Sequence, residues 1–466
     1  MNKDSIGRAD FASKVGMILA TAGSAVGLGN IWRFPVTTGN NGGAAFILIY
    51  ILCVIILGVP LMTSEFVVGR QAHSNTAEAF RKLGKGALWK NVGVFGVITG
   101  WFILCYYIVV SGWTLSYLVE AVRGTFTQLA RSGEGKAYEE LFTGFVTDPY
   151  LPVIYMAVFM LMSHYVIVRG VKNGIERFSK ILMPMLFILL LLLMVCSLFT
   201  SGAQEGLTFL LQPDFSKITF RTVLEAMGQA FYSLSIAMGC ICTYASYFGR
   251  DVRLVNTAFK VSTIDTLIAI MAGVIIFPAV FSTGIRPDAG ASLVFIALPG
   301  VFQQAFSGIP MLSYVVSVMF YFLLVLATLT SVISLQEVVT AWLSEDFKLG
   351  RGRAATVVTV TCIVVGSLCS LSMGPLAHLK IMGRSMFDFF DFFSGQLMLP
   401  IGGFFTALFV GWKLERTLLW QQLACGQPHE THLLARILIC LLRYFVPLAI
   451  LMIFLSGLGV MQVIGL

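Results

Sequence analysis

Apolar residues run in long stretches along most of the chain, and short polar connections separate them. A helix needs about 20 consecutive apolar residues to cross the hydrocarbon core of a membrane. The pattern therefore predicts an all-α polytopic membrane protein with about eleven transmembrane helices. The predicted limits are 15–38, 43–69, 91–121, 151–168, 178–200, 219–248, 256–284, 310–343, 354–374, 386–411 and 437–463.

Composition and charge agree with this pattern. Hydrophobic residues make up 57% of the 466 positions and charged residues only 12%, about half the charged fraction of soluble domains. Most of the 31 lysines and arginines lie in the N-terminus and in alternate connections on the same side. The positive-inside rule places that side in the cytoplasm. The net charge of +8 therefore indicates topology and contact with the lipid bilayer, and not a nucleic-acid partner.

Two predicted helices carry small and polar residues at the depth where hydrocarbon is expected. Segment 23–35 of the first holds three glycines, Asn30 and Arg33, and segment 229–239 of the sixth holds hydroxyl and small residues. Close packing through small residues would explain the glycines, but not Asn30 or Arg33, which are costly in hydrocarbon. The two segments therefore predict discontinuous helices 1 and 6, which bind ions and substrate in inverted-repeat transporters.

Ordered motifs across residues 11–412 give the chain a resemblance to a known family. Segment 23–35, the Tyr106–Tyr107 pair, segment 233–247 and segment 327–331 follow one another as in the neurotransmitter:sodium symporter family, and the chain resembles its bacterial amino-acid transporter branch. The resemblance implies a sodium-coupled symporter of neutral amino acids that works by alternating access in the bacterial inner (plasma) membrane. It also implies a 5+5 inverted repeat, with a cytoplasmic N-terminal segment at 1–14, repeats at 15–200 and 219–411, and an additional helix 11 at 437–463.

The resemblance further implies two sodium sites. Sodium 1 would be bound by the carbonyl of Ala25 and the side chains of Asn30, Ser233 and Asp265, and completed by the substrate carboxylate. Sodium 2 would be bound by carbonyls of Gly23, Val26 and Ala327 and hydroxyls of Thr330 and Ser331. Oxygen is the ligand that a hard cation prefers. A buried Asp265 would otherwise be very costly, and a water-facing position near the helix end is the alternative for this residue.

Many animal members of the family also bind chloride near the first sodium. The resemblance puts that pocket around Tyr50, Gln229, Ser233 and position 265. A fixed carboxylate at Asp265 would repel an anion at close range. We therefore expect transport that does not require chloride.

The implied substrate site lies between the two broken helices. Its residues are Ala25, Leu28, Gly29, Ile103, Tyr107, Tyr232, Ser233, Ser235, Met238, Ser331, Val332, Ser334 and Leu335. The amides of Leu28 and Gly29, with the hydroxyl of Tyr107, would hold the substrate carboxylate. The part that would face the substrate side chain is mainly apolar and carries no charge, which favours hydrophobic or aromatic amino acids.

Gates are implied on both sides of this site. Arg33 and Asp391 would close the outer side, and Arg8 and Glu345, with Tyr247 nearby, would close the cytoplasmic side. In the fifth helix Gly174 and Pro184 mark an end that can unwind to release the second sodium, with a static kink as the alternative.

Two other classes of protein are alternatives to a transporter. A non-transporting amino-acid sensor or receptor on the same fold is the alternative function, and gate residues on both faces argue against it. The sequence contains no zinc-helix motif, nucleophile elbow or phosphate loop, so we do not expect an enzyme.

Overall fold

A computed structural model describes residues 11–132, 136–283, 293–423 and 431–460 of the chain. Within these ranges the protein is all-α, and nine continuous helices are long and apolar enough to cross a membrane. They are spans 2 to 5 (Ala44–Ala72, Ala87–Arg123, Leu151–Val168 and Val171–Ser197) and spans 7 to 11 (Leu254–Phe281, Pro310–Asp346, Arg351–Leu371, Met386–Lys413 and Leu433–Gly457). Span 1, a bent pair of helices, is a tenth candidate in the described part of the chain. The predicted span 6 consists of two shorter helices, so the prediction of eleven crossings depends on counting this interrupted segment as one.

Span 1 is broken, as predicted. Its halves, Lys14–Ala25 and Gly29–Asn40, meet at an angle of 55°. The first half ends because Val26 adopts an extended backbone, with φ −71° and ψ 114°. The amide of Gly27 then donates to Oδ1 of Asn30 at 3.0 Å. The Asn30 side chain therefore supplies the acceptor that a buried amide requires, in place of a backbone carbonyl of the helix.

Span 6 is broken between the helices Phe220–Ser233 and Cys240–Ala245. Ser235, Ala237 and Gly239 in the intervening turn have positive φ values of 52°, 69° and 77°. Glu65, from span 2, reaches this turn with its buried carboxylate and accepts from the amide of Ala237 at 2.6 Å and the amide of Cys242 at 3.2 Å. The unwound backbone thus has its hydrogen bonds supplied from a neighbouring span.

Packing places the two breaks near the middle of the bundle. The first half of span 1 lies against spans 5, 7 and 8, and span 8 packs along span 3. Span 6 packs against span 2 through both of its halves. We call the face where residue 11 lies the N-terminal side and the opposite face the outer side.

Several short helices occupy connections for which the sequence predicted no element. They are Thr76–Gly84, Thr125–Ser132, Ala137–Thr147, Ala203–Leu211, Leu298–Ala305 and Arg416–Leu423. Each is shorter than a membrane crossing, so the search for long apolar stretches passes over it. Within the described ranges, these connections therefore contain helices of their own.

The predicted limit of span 5 was wrong at its start. The helix begins at Val171, in a π-helical stretch that runs to Glu176, and not at 178. Lys172 and Asn173 interrupt the apolar pattern there, yet both face the surface while Glu176 is buried. Span 11 likewise begins at Leu433, before the predicted 437, and its helix ends at Gly457. The division of the chain into repeats at 15–200 and 219–411 stays a prediction.

Candidate functional site

A buried carboxylate lies where the breaks of spans 1 and 6 meet span 7. Asp265 is 0% exposed, and Asn30 is equally buried. The Asn30 amide donates to Oδ1 of Asp265 at 2.7 Å and lies 3.2 Å from the Ser233 hydroxyl. Ser233 donates to Oδ2 of Asp265 at 2.9 Å, and the Tyr50 hydroxyl approaches the same oxygen at 3.3 Å. The structure therefore brings together Asn30, Ser233 and Asp265, which the sequence assigned to sodium 1.

The groups around Asp265 are all neutral. In the described ranges, no lysine, arginine or histidine forms an ion pair with it. An ionised carboxylate out of water is costly by several kcal/mol unless an opposite charge accompanies it. A cation at this point would supply that charge. The water-facing position considered for Asp265 was wrong, because the residue lies in the middle of span 7 with no exposed surface.

A second cluster of oxygens joins the break in span 1 to span 8. The Ser331 hydroxyl lies 3.1 Å from the carbonyl of Val26 and 3.4 Å from the carbonyl of Ala327. The Thr330 hydroxyl lies 2.9 Å from the carbonyl of Ala327 and 3.5 Å from that of Val26. A Cβ added at Gly23 would lie 3.3 Å from the Cβ of Thr330, so this glycine keeps the cluster open. These are the five residues assigned to sodium 2.

Two cavities lie one above the other between the breaks. The inner one, of about 40 Å³, is lined by Ser24, Ala25, Gly27, Gly29, Ile103, Tyr107, Tyr232, Ser233, Ser235, Met238, Ser331 and Leu335. The outer one, of about 270 Å³, is lined by Leu28, Gly29, Trp32, Arg33, Val36, Tyr106, Tyr107, Val110, Tyr232, Phe387, Asp391, Gly395 and Gln396. Tyr107 and Tyr232 line both cavities and so form the partition between them.

Most residues assigned to the substrate site line the inner cavity. Leu28 lines the outer one, and its amide donates to the Tyr107 hydroxyl at 3.1 Å. Val332 and Ser334 are not among the described residues that line the two cavities. Ser334 donates instead to the carbonyl of Thr330 at 2.9 Å and lies 2.9 Å from the hydroxyl of Tyr244. The Ser334 hydroxyl thus contacts span 6 and its own helix, and Val332 is 0% exposed, so the geometry gives neither side chain a direct contact with a substrate in these cavities.

The outer charged pair lies open in this structure. Arg33 and Asp391 both line the outer cavity, yet no ion pair within 4.0 Å joins them in the part of the chain that the structure describes. The Arg33 guanidinium lies over the ring of Tyr232, 4.4 Å from its centroid. The hydroxyls of Tyr106 and Tyr232 are 3.4 Å apart. The predicted Arg33–Asp391 contact is therefore not made in this state, because a cation–π contact takes its place.

On the N-terminal side, Arg8 lies outside the described residues. Its predicted partner Glu345 accepts from the backbone amide of Asn75 at 2.7 Å and from the side-chain amide at 3.0 Å. Tyr247 accepts through its carbonyl from the amide of Phe11 at 3.2 Å, and the Phe11 ring packs edge-on against it at 6.0 Å. The start of the described chain is thus attached to the end of span 6.

Sequence reasoning missed a buried ion pair beside this attachment. Arg351, at the start of span 9, donates to both carboxylate oxygens of Glu337 in span 8, at 3.0 and 2.5 Å. Tyr247 donates to the same carboxylate at 2.7 Å, and Arg351 also donates to the carbonyl of Ile167 in span 4 at 2.9 Å. A glutamate inside a long apolar run is a signal that could have found this group.

A second missed carboxylate holds the start of span 1. Glu176, the last residue of the π-helical stretch that begins span 5, accepts from the amide of Ala12 at 2.6 Å and from the hydroxyl of Ser13 at 2.9 Å. Lys180 pairs with it at 2.6 Å. Its polar neighbours Lys172 and Asn173 are typical of a connection between spans, so no sequence pattern indicates that the carboxylate is buried.

Two broken helices beside two clusters of oxygen atoms are typical of the class of secondary active transporters. The comparison with family models agrees: the model of the sodium:neurotransmitter symporter family matches residues 8–132 and 146–465. The chain belongs to this family, and the resemblance found in the sequence is confirmed. It is therefore a multi-pass membrane protein of a sodium-dependent transporter family, which is not a class of enzymes.

Individual relatives cover nearly the whole chain. An uncharacterized sodium-dependent transporter, YhdH, of Bacillus subtilis is 35% identical over 97% of this chain and 98% of its own length. An uncharacterized sodium-dependent transporter of Haemophilus influenzae is 33% identical, with the same two coverages. The crystal structure of MhsT in complex with L-phenylalanine is 41% identical, covers 97% of this chain and 100% of that one, and superposes with a TM-score of 0.86.

Proposed function

We propose that the protein is a sodium-coupled symporter of neutral, hydrophobic or aromatic amino acids, that it works by alternating access with two sodium ions, and that it does not require chloride. The observation that carries the proposal is the buried carboxylate of Asp265, whose hydrogen-bond partners are all neutral, next to a cavity at the breaks of spans 1 and 6. A sodium ion beside Asp265 balances its charge and lies within reach of a ligand in the cavity.

Coupling between ion and solute follows from this proximity. Ala25 and Ser233 line the inner cavity and also belong to the residues proposed for sodium 1. A substrate carboxylate directed toward them becomes a ligand of the ion, so each raises the affinity for the other. Gly29 and Tyr107 line the same cavity, and the amide of Gly29 and the Tyr107 hydroxyl, which accepts from the Leu28 amide, orient the same carboxylate. These contacts recognise the backbone of any α-amino acid.

The rest of the inner cavity supports an apolar substrate side chain. Ile103, Met238 and Leu335 line it, and no charged residue does. An empty volume of about 40 Å³ is smaller than the roughly 150 Å³ that accommodates a benzene ring. An aromatic substrate therefore requires side chains to move, and Met238 has the flexibility for it. The phenylalanine bound by MhsT, which shares 41% of its sequence with this chain, also supports this class.

Chloride independence rests on the groups that would bind the anion. Tyr50 and Ser233 direct their hydroxyls to Asp265. Gln229 donates its side-chain amide to the carbonyl of Gly29 at 3.1 Å. The carboxylate thus occupies the hydroxyl donors that a chloride ion would need, and it repels the anion.

Alternating access uses contacts on both sides of the site. On the outer side, Arg33 leaves Tyr232 and pairs with Asp391 when the outer cavity closes over a bound substrate. On the N-terminal side, which we place in the cytoplasm, Glu345 pairs with Arg8 and Tyr247 holds the N-terminal segment. Release of the second sodium follows the unwinding of the start of span 5, near Gly174.

Uptake into proteoliposomes tests the proposal. The purified protein is reconstituted with an inward sodium gradient and a clamped membrane potential, and unlabelled amino acids compete against labelled phenylalanine. We expect concentrative uptake that hydrophobic and aromatic amino acids inhibit, that lysine and glutamate do not inhibit, and that is unchanged when gluconate replaces chloride. Saturable binding without uptake would support the sensor instead, and stimulation by chloride would contradict the proposed role of Asp265.

A further inference from the structure

A basic groove lies on the N-terminal side between the start of span 1 and the start of span 7, away from the transport site. Its volume is about 260 Å³, and it is lined by Lys14, Met17, Ile18, Asp251, Val252, Arg253, Asn256, Thr257 and Lys260. Three basic side chains face one acidic one. We propose that this groove binds the phosphodiester headgroup of an anionic phospholipid, such as phosphatidylglycerol.

The charge of the groove favours an anion. Lys14 pairs with Asp251 at 2.7 Å, and this hydrogen bond holds the pKa of Asp251 below its ordinary value, so the carboxylate stays ionised and offsets one lysine. Lys260 forms no ion pair with any residue in the described ranges. Asn256, one turn before Lys260, adds a side-chain amide to the same wall, whereas the Thr257 hydroxyl donates to the carbonyl of Arg253 at 3.0 Å. With Lys14 offset by Asp251, the ammonium of Lys260 gives the groove a positive charge and a donor that suit a phosphate oxygen.

The position of Lys260 points to the membrane surface. It is six residues into the helix that begins at Leu254, or about 9 Å along the helix at 1.5 Å per residue. A lysine at that depth extends its ammonium toward the headgroup region. Basic pockets between membrane helices on the cytoplasmic side are typical binding sites for anionic headgroups. The groove has this position if the N-terminal side is cytoplasmic, as the distribution of lysine and arginine predicts.

The surroundings favour a lipid over free phosphate as the source of the anion. Val15, next to Lys14 in the chain, is 64% exposed. Met17 and Ile18 form an apolar wall inside the groove. Apolar surface beside the basic side chains gives a glycerol backbone and acyl chains a place to pack, which inorganic phosphate would not use.

Lipid retention by the full-length protein tests the proposal. The protein is purified in detergent, titrated with phosphatidylglycerol or phosphatidylcholine, and the bound lipid is counted by native mass spectrometry. Lys260→Gln is compared with Arg177→Gln, which removes an exposed basic residue from the start of span 5 on the same side. We expect wild type to prefer phosphatidylglycerol. Lys260→Gln should weaken the binding of phosphatidylglycerol about fivefold, because this factor corresponds to the attraction of one lysine to an anionic surface. Arg177→Gln should bind as wild type does.

A further variant and a further ligand keep the test decisive. Lys260→Arg keeps the charge and should bind phosphatidylglycerol as wild type does, which separates a loss of charge from a loss of folding. Inorganic phosphate should not displace the lipid. Equal binding of the two lipids, equal binding by wild type and Lys260→Gln, or displacement by inorganic phosphate would each overturn a lipid site in this groove.

Discussion

The substitution Asp265→Asn examines the cation site most closely. It keeps the size of the side chain but removes the negative charge of the carboxylate, whose hydrogen-bond partners are all neutral. A cation left without its buried partner loses about 3–5 kcal/mol. The lower value corresponds to a rise of about 150-fold in the sodium concentration that gives half-maximal binding. We therefore expect Asp265→Asn to lose sodium-dependent binding at concentrations that saturate the wild type.

Sodium-dependent binding of labelled amino acid to the purified protein measures this effect. Asp148→Asn is the matched control, since Asp148 is an exposed residue that accepts from the amides of Tyr150 and Leu151, and asparagine can accept from them as well. The substitution at 265 also releases the hydroxyls of Tyr50 and Ser233, so chloride should now stimulate binding. A sodium dependence within threefold of wild type would refute the assignment of Asp265 to the ion.

Three further predictions concern the hydrogen bonds around the site. Tyr107→Phe removes the acceptor of the buried Leu28 amide and should weaken amino-acid binding about tenfold, with a loss of about 1–3 kcal/mol in stability. Equal affinity by the same assay would contradict the role of Tyr107. Glu176→Gln removes the negative charge that binds Lys180 and the Ala12 amide, so amide hydrogen exchange at residues 12–25 should accelerate about tenfold. Glu205→Gln is the control. Unchanged exchange in Glu176→Gln would argue against this attachment. Arg351→Gln leaves the Glu337 charge buried without its partner and should destabilise the protein by about 3 kcal/mol in unfolding measured in detergent. The double variant with Glu337→Gln should recover most of this loss. No recovery would show that the broken ion pair does not cause the destabilisation.

The breaks in spans 1 and 6 could be predicted because their cause is local. Asn30 and Arg33 are costly in hydrocarbon wherever they occur in a membrane helix, and glycines beside them permit unwinding. The same local reasoning found most limits of the long spans, since an apolar stretch of sufficient length crosses the membrane whatever its neighbours are. The family was also accessible, because its motifs lie at these breaks.

The contacts that complete the breaks could not be predicted from the sequence. Glu65 supplies acceptors to the unwound turn of span 6, and Glu176 holds the start of span 1, but each acts on residues that are more than 150 positions away in the chain. The short helices between spans were missed for a related reason: packing on the bundle stabilises them more than their own apolar pattern does. The state of the outer pair depends on whether Arg33 contacts Tyr232 or Asp391, a choice that sequence does not encode.

We infer that the sodium ion beside Asp265 and the amino acid bind together and are transported together. Fluxes of radioactive sodium and of labelled phenylalanine, measured in the same proteoliposomes with gluconate in place of chloride, test it directly. We expect each flux to require the other solute, in a fixed ratio, and Asp265→Asn to abolish both. Phenylalanine flux that continues at the same rate without sodium would contradict it.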